Sequence, residues 1–260
     1  MYSEKVIPII KEAGKNLLPF YGQAEVLRQK DDSPCNVVTE LDLKTEKFLA
    51  ERLADVYPDI GFCGEEFGGD DKAERFWLVD PIDGTAHFLR GVPMCTTMIA
   101  LIESGRVVFS AIYDFVNDRI YYAQKGEGAK MNGEPIRISR RPLAATYLLH
   151  EISLDKQRNL DIFLDLRKRC ILFNTINCGF EFAMIASGKI EGRIALDPFG
   201  DDYDYAPGTF LVKEANPLIK QILCREMDYV VIELSIRDKE ANGKPSTRDE
   251  IACFKELYLS

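Results

Sequence analysis

The run Trp77-Leu78-Val79-Asp80-Pro81-Ile82-Asp83-Gly84-Thr85 sets two carboxylates at the end of an apolar segment, with no basic residue among them. Phe76 to Val79 reads as a buried strand, and Pro81 and Gly84 interrupt regular structure directly after it. The acid pair is therefore expected on a strand-to-loop corner, aiming Asp80, Asp83 and backbone carbonyls such as that of Ile82 at one point. Such hard oxygen donors suit Mg²⁺ or Mn²⁺ rather than a soft ion. Gly84 allows an anion to approach the backbone closely, and the Thr85 hydroxyl can orient a water. Either dipeptide alone, Asp-Pro or Asp-Gly, is an ordinary turn; both within four residues behind an apolar strand ask for a further reason.

Two more acidic elements point the same way. Phe62-Cys63-Gly64-Glu65-Glu66 ends an apolar segment in adjacent like charges, an arrangement otherwise typical of a surface turn. Asp201-Asp202-Tyr203-Asp204 precedes the helical pattern Phe210, Leu211, Val212 and Ala215. One acid there is explained as a helix cap, but three in four residues exceed what capping needs.

With these elements in place the chain resembles the inositol monophosphatase family, whose members share a Gly-Glu-Glu element, an Asp-Pro-Ile-Asp-Gly-Thr element and a later Trp-Asp-x-Ala-Gly-type element. They stand here as Gly64-Glu65-Glu66, Asp80 to Thr85, and Tyr203-Asp204-Tyr205-Ala206-Pro207-Gly208. The second match is complete; the third has Tyr203 for Trp and Pro207 within it. The resemblance runs from about Lys11 to Ala215. It implies that Glu65, Asp80 and the Ile82 carbonyl hold one Mg²⁺, that Asp80, Asp83 and Asp204 hold a second, and that a third ion can sit near Glu65. It also implies that Asp42 and Thr85 position the attacking water, with Glu65 counted among the catalytic acids. The Gly84 and Thr85 N–H groups would receive phosphate oxygens. Asp83, Asp204 and Asp197 would face the substrate, Asp197 standing one methylene shorter than the usual Glu. The family commonly forms homodimers and is inhibited by lithium.

The chemistry agrees with elementary electrostatics. A phosphate monoester carries about −1.5 to −2 charge at neutral pH, so bare acids would repel it, and divalent cations invert that sign. Two cations about 3.5–4 Å apart can activate a water and stabilise a leaving alkoxide. No Cys-x-x-Cys pair and no Cys-x₅-Arg loop is present among the seven cysteines, Cys35, Cys63, Cys95, Cys170, Cys178, Cys224 and Cys253, which read as scattered thiols of a reducing compartment. With two histidines only, His87 and His150, zinc chemistry is disfavoured. His87 follows the acid pair and could face a substrate, but reads first as packed or solvent-facing, and His150 reads as structural.

The elements that must position these groups alternate along the chain. Ile9, Ile10, Ala13, Leu17 and Leu18 recur at helical spacing and stop near Pro19. Thr39-x-x-Asp42 is a capping pattern that starts a second helix and places Asp42 in its first turn. Strands are expected over Trp77–Asp80, Met94–Glu103, Arg106–Asp114 and Arg119–Ala123, with turns at Ser104-Gly105 and Asn132-Gly133. Beyond a lobe boundary near Arg141-Pro142, strands at Tyr147–Glu151, Ile171–Asn174 and Gly192–Leu196 alternate with helices at Lys156–Arg169, Phe180–Ser187 and Tyr203–Glu214. A last strand is expected at Tyr229–Ile236, before a turn at Asn242-Gly243-Lys244-Pro245. The expectation is one α/β domain over 1–260, with lobes of about 1–141 and 142–260. The resemblance implies the layered α/β/α/β/α sugar-phosphatase fold.

At 260 residues and 46% hydrophobic content the chain can bury a sizeable core, and a net charge of −9 disfavours nonspecific nucleic-acid binding. No apolar run reaches the length of a membrane span or resembles a signal peptide, so a cytoplasmic protein is expected, with no membrane or nucleic-acid partner. The leading expectation is a Mg²⁺-dependent phosphomonoesterase of inositol monophosphate or a similar polyol or sugar phosphate. Alternatives are fructose-1,6-bisphosphatase or 3′(2′),5′-bisphosphate nucleotidase activity, and a catalytically weak homologue that binds metal and phosphorylated ligands.

Overall fold

The apolar face at helical spacing becomes helix α1 (Tyr2–Leu17), burying Val6, Ile9, Ile10, Ala13 and Leu17, in a computed structural model that describes residues 1–30, 37–139, 141, 146–196 and 200–216. A 3₁₀ turn containing Pro19 ends it. A short ribbon, β1 (Arg28–Gln29) with β2 (Val37–Val38), leads into helix α2 (Glu40–Val56). The expected capping box is present: the Thr39 hydroxyl accepts the N–H groups of Leu41 and Asp42, and Asp42 Oδ2 accepts Thr39 N–H at 2.7 Å.

The largest layer is an eight-stranded sheet built from β3 (Gly61–Gly64), β4 (Gly68–Gly69), β5 (Arg75–Asp83), β6 (Thr96–Glu103), β7 (Arg106–Asp114), β8 (Arg119–Gln124), β9 (Gly128–Met131) and β10 (Glu134–Ile136). Its order is β10-β9-β8-β7-β6-β5-β3-β4, antiparallel except where β3 runs parallel to β5. Two-residue turns join β6 to β7 and β9 to β10: Ser104 and Gly105, like Asn132 and Gly133, all have positive φ, which matches the right-handed strand twist. The strand expected to stop at Asp80 instead continues to Asp83. Its pairing with β6 shifts register between Asp80 and Asp83, a bulge that accommodates Pro81, whose carbonyl accepts the Thr97 hydroxyl at 2.9 Å. Helix α3 (Thr85–Arg90) follows at once, so β6 begins at Thr96 rather than Met94.

The second sheet is parallel, ordered β12-β11-β13, from β11 (Tyr147–Ile152), β12 (Ile171–Asn174) and β13 (Gly192–Leu196), interleaved with α4 (Gln157–Arg169), α5 (Cys178–Ala186) and α6 (Asp202–Ala215). α1 and α2 cover one face of the large sheet through a core centred on Trp77, Ile99, Phe109 and Tyr113. On its other face Met98, Ile112 and Tyr121 pack with Phe182 of α5 and Leu211 of α6. α5 also meets β13, and α4 closes the far side of the small sheet through Leu148, Ile152, Leu166 and Ile194. The succession helix, sheet, helix, sheet, helix is the α/β/α/β/α layering expected.

α6 starts one residue earlier than expected, capped by Asp201, and Pro207 lies in its second turn. The proline there removes an interior N–H, and the helix passes through it with the Thr209 hydroxyl donating to the Tyr205 carbonyl at 2.8 Å. Cys95 and Cys178 are buried and Cys63 and Cys170 half-buried, all four as free thiols, and no helix among the described residues is long and apolar enough to cross a membrane. Pro142, Asp197, Cys35, Cys224, Cys253, the strand at Tyr229–Ile236 and the turn at Asn242–Pro245 lie outside the described residues.

Candidate active site

The bulge at the end of β5 turns Asp80 and Asp83 inward, and the first turn of α6 brings Asp204 to meet them. One oxygen from each of the three lies within 4.8 Å of the others. Both Asp83 oxygens are gripped: Oδ2 accepts the Thr96 hydroxyl and Gly179 N–H, each at 2.8 Å, and Oδ1 accepts Cys178 N–H at 3.2 Å. Asp204 Oδ2 closes a capping box by accepting Asp201 N–H at 2.6 Å, so capping and site geometry use the same side chain. Asp80 Oδ1 is fully buried and has no hydrogen-bond partner among the described residues.

Such a cluster is electrostatically unsatisfied. Burial, and then the charges of Glu65, Asp83 and Asp204, hold the Asp80 carboxyl well above the ordinary carboxylate range. Burial pushes Asp83 up to about 7 against its hydrogen bonds, and pushes Asp204 up to about 7 with help from Asp83 and Glu65. An all-oxygen donor set with an orphaned buried carboxylate oxygen is what a hard divalent cation satisfies.

Glu65 and Glu66, adjacent in sequence, are used differently. The turn that carries them is held from below by Glu46 of α2, whose buried carboxylate accepts the N–H groups of Glu66 and Phe67, both at 2.8 Å. Gly64 is required at this point, since an added Cβ would collide with that carboxylate. The Glu66 side chain is buried between Arg28 at 3.4 Å and Lys30 at 2.7 Å, whereas Glu65 faces the cluster and meets the Lys30 ammonium at 2.5 Å. Burial opposes the Lys30 charge, yet the two glutamates hold it protonated beyond the usual lysine range. Lys30, directly after β1, thus supplies a cation to the Glu65-Glu66 pair. Lys30→Met leaves Glu65 without its cation and Glu66 with Arg28 alone, and is expected to destabilise the metal-free protein by about 1–2 kcal/mol, read as a lower thermal midpoint in calorimetry. An unchanged midpoint would show that water already screens the pair.

Beside the acids stands a relay of hydroxyl and carboxylate. Thr85 Oγ1 lies 3.0 Å from Asp42 Oδ1 and 2.9 Å from the Ile82 carbonyl, while Asp42 Oδ2 accepts the Thr39 hydroxyl at 2.6 Å. Burial pushes Asp42 up to about 6 in spite of those donors. Gly84 precedes Thr85 at φ 85, where an added Cβ would strike the Asn177 side chain. A cavity of about 240 Å³ is lined by Lys30, Glu65, Asp80, Ile82, Asp83, Gly84, Thr85, His87, Ile176 and Asp204. A larger groove of about 720 Å³ between α1 and α2, walled by Leu17, Phe20, Val26, Leu27 and Phe48, holds no convergent carboxylates, so size does not locate the chemistry.

The structure therefore gathers Asp42, Glu65, Asp80, Ile82, Asp83, Gly84, Thr85 and Asp204 around one cavity, Asp42 through Thr85; Asp197 is the one expected residue outside the description. His87 lines the cavity, and His150 packs edge-on against Phe163, as a structural residue would. Sequence reasoning missed Lys30 as a partner of Glu65, and Glu46, Thr96 and Asn177 as supports. Asn177 carried a signal, being an Asn directly before an apolar helix, where it caps α5 by accepting Phe180 N–H.

Comparison with known proteins gives a consistent result. The profile described as the inositol monophosphatase family matches residues 4–246. An inositol-1-monophosphatase of Rhizobium meliloti is 26% identical over 260 aligned positions, covering 96% of this chain and 90% of that protein. A histidinol-phosphatase of Chlorobaculum parvum is 31% identical, covering 81% of this chain and 82% of its own. The crystal structure of the extragenic suppressor protein suhB from Bartonella henselae superposes with a TM-score of 0.74 at 26% identity, over 82% of this chain and 84% of that one.

Proposed function

Since the chain belongs to the inositol monophosphatase family, a family of metal-dependent phosphatases, we propose that it hydrolyses the phosphate monoester of a small polyol or sugar, inositol monophosphate foremost, with Mg²⁺ as cofactor. The observation that carries this reading is the convergence of Asp80, Asp83 and Asp204 within 4.8 Å beside the Thr85 hydroxyl held on Asp42.

In this mechanism Asp80, Asp83, Asp204, Glu65 and the Ile82 carbonyl would hold two or three Mg²⁺ ions. When bound, these supply positive charge that admits a dianionic ester, lower the pKa of water and stabilise the leaving oxygen. The chain's own groups do the rest. Gly84 and Thr85 open α3, where N–H groups have no preceding turn to bond, and receive the phosphate oxygens. Thr85 accepts a proton from the attacking water as its own hydroxyl proton is drawn toward Asp42, whose pKa near 6 leaves it an ionised but basic carboxylate at neutral pH. Asp83 and Asp204 would face the hydroxyls of the departing alcohol, a role the family resemblance also gives to Asp197. Inhibition by lithium and assembly as a homodimer complete the proposal.

Thr85→Ala is expected to lower kcat about a hundredfold while leaving Mg²⁺ affinity, measured by titration calorimetry, nearly unchanged. An unaltered rate would remove Thr85 from proton transfer. Phosphate release from inositol 1-phosphate, fructose 1,6-bisphosphate, adenosine 3′,5′-bisphosphate and histidinol phosphate, with and without Mg²⁺, tests the function itself. The largest Mg²⁺-dependent kcat/KM should fall on inositol 1-phosphate, and no release from any of the four would leave a ligand-binding homologue.

A further inference from the structure

Behind Asp83 lies a buried ionic cluster that the reaction does not use. Arg193 on β13 is 4% exposed, Glu181 on α5 is 0% exposed and Glu151 on β11 is 8% exposed. Arg193 Nε donates to Glu181 Oε2 at 2.5 Å, and Nη2 donates to Glu151 Oε2. The guanidinium also lies over the rings of Phe182 and Tyr205, 5.8 and 5.2 Å from their centroids, and the Tyr205 hydroxyl donates to Glu151 at 3.3 Å. Two carboxylates sharing one guanidinium in a dry interior are costly, and apolar residues of the same volume would commonly be as stable or more so. Stability alone therefore gives no reason for the cluster.

Its connections supply one. The other Glu181 oxygen, Oε1, accepts the Thr175 hydroxyl at 2.8 Å and Ile176 N–H. That fixes the turn whose next three residues all reach Asp83. The Asn177 amide donates to the Asp83 carbonyl at 3.3 Å and to the Met94 carbonyl, and the N–H groups of Cys178 and Gly179 hold the two carboxylate oxygens. Tyr205 directly follows Asp204 on α6, so the same guanidinium touches both the support of Asp83 and the neighbour of Asp204. The guanidinium thus contacts α5, α6 and the small sheet together.

We propose that Arg193 is a positioning residue: through Glu181 it sets the 175–179 turn that aims Asp83, and through Tyr205 it keeps α6, with Asp204, in register with it. This rests on the phosphatase reading of the site. None of Arg193, Glu181, Glu151 and Tyr205 lines the cavity that the acids surround. The cluster's effect is the spacing of two carboxylates that sit on different layers of the fold.

The test measures Mg²⁺ affinity by titration calorimetry, and kcat and KM separately, well below each variant's thermal midpoint. Arg193→Met is expected to weaken Mg²⁺ binding about tenfold and to lower kcat by at least as much with KM nearly unchanged; Arg193→Lys, keeping the charge but not the fork, should fall between. Leu166→Ala, buried between α4 and the small sheet, is the control: it should cost comparable stability and leave Mg²⁺ affinity unaltered. Parental affinity and kcat in folded Arg193→Met overturn the proposal, as does an equal loss of affinity in Leu166→Ala. If Arg193→Met does not fold, Arg193→Lys decides by the same criteria. Asp83→Asn run in parallel separates the failures. If it alone loses affinity and turnover, the role of Arg193 falls and the site stands; if it too behaves as the parent, both fall.

Discussion

Asp83→Asn is expected to reduce Mg²⁺-dependent phosphate release about a thousandfold and, at pH 8 in chelator, to raise the thermal midpoint. The first effect follows from the chemistry proposed for the site. Loss of one anionic oxygen from the cluster removes several kcal/mol of cation-mediated charge stabilisation, each decade of rate being about 1.4 kcal/mol. The second follows from burial: Asp83 lies 5% exposed beside Asp80 and Asp204, desolvation pushes all three carboxyls upward, the charges of Glu181 and Glu65 add to the rise at Asp83, and the Asp83 charge in turn raises Asp80 and Asp204. Asparagine removes a charge but keeps an oxygen for one of the N–H groups of Cys178 and Gly179, and the Thr96 hydroxyl can turn to accept from the new amide. The gain should shrink as pH falls and vanish only near the ordinary carboxylate value, where Asp83 is protonated in the folded and the unfolded chain alike. Full turnover in the variant would remove Asp83 from the mechanism, and a lower midpoint at pH 8 would show that its hydrogen bonds outweigh the repulsion.

The metal-free protein is expected to lose stability as pH rises from about 4 to about 7, and saturating Mg²⁺ to restore it most fully at the upper end. A carboxyl whose pKa is raised by folding binds its proton more tightly in the native state than in the unfolded chain. Its contribution is complete below the ordinary carboxylate value and disappears as pH passes the folded value, about 6 for Asp42 and about 7 for Asp83 and Asp204. Above that range the acids are charged and in need of a cation. Mg²⁺ at a hundred times its dissociation constant adds about 2.7 kcal/mol, several degrees in midpoint for a protein of this size. Scanning calorimetry in chelator and in excess Mg²⁺, at pH 5, 6, 7 and 8, reads both effects. Coincident curves at pH 8 would contradict a cation site at these acids.

How far the sequence could be read depended on whether the deciding contact was local. Thr39-x-x-Asp42 and Asp201-x-x-Asp204 write their caps within four residues, and both are present. The positive-φ turns at Ser104-Gly105 and Asn132-Gly133 were legible for the same reason. β5 was cut short because Pro81 reads as a breaker, and only its pairing with β6 shows a bulge that carries the strand to Asp83. Whether Lys30 folds over the site was open in the sequence, and its pairing with Glu65, 35 positions later, was not legible because the two meet only in the folded chain. Arg193 gave no signal at all: a lone arginine in an apolar strand gains meaning only when Glu181 and Glu151 converge on it.

The proposed cation site is written into the chain in two instalments. Asp80 and Asp83 leave the ribosome long before Asp204, and at synthesis rates of about 5–20 residues per second the gap lasts on the order of ten seconds. During that time the early pair has no third carboxylate, and the α5 turn that grips Asp83 has also yet to emerge. A nascent chain therefore cannot assemble the full ligand set until most of the molecule exists, and hydrolytic capacity is withheld from unfinished polypeptides by the order of translation alone.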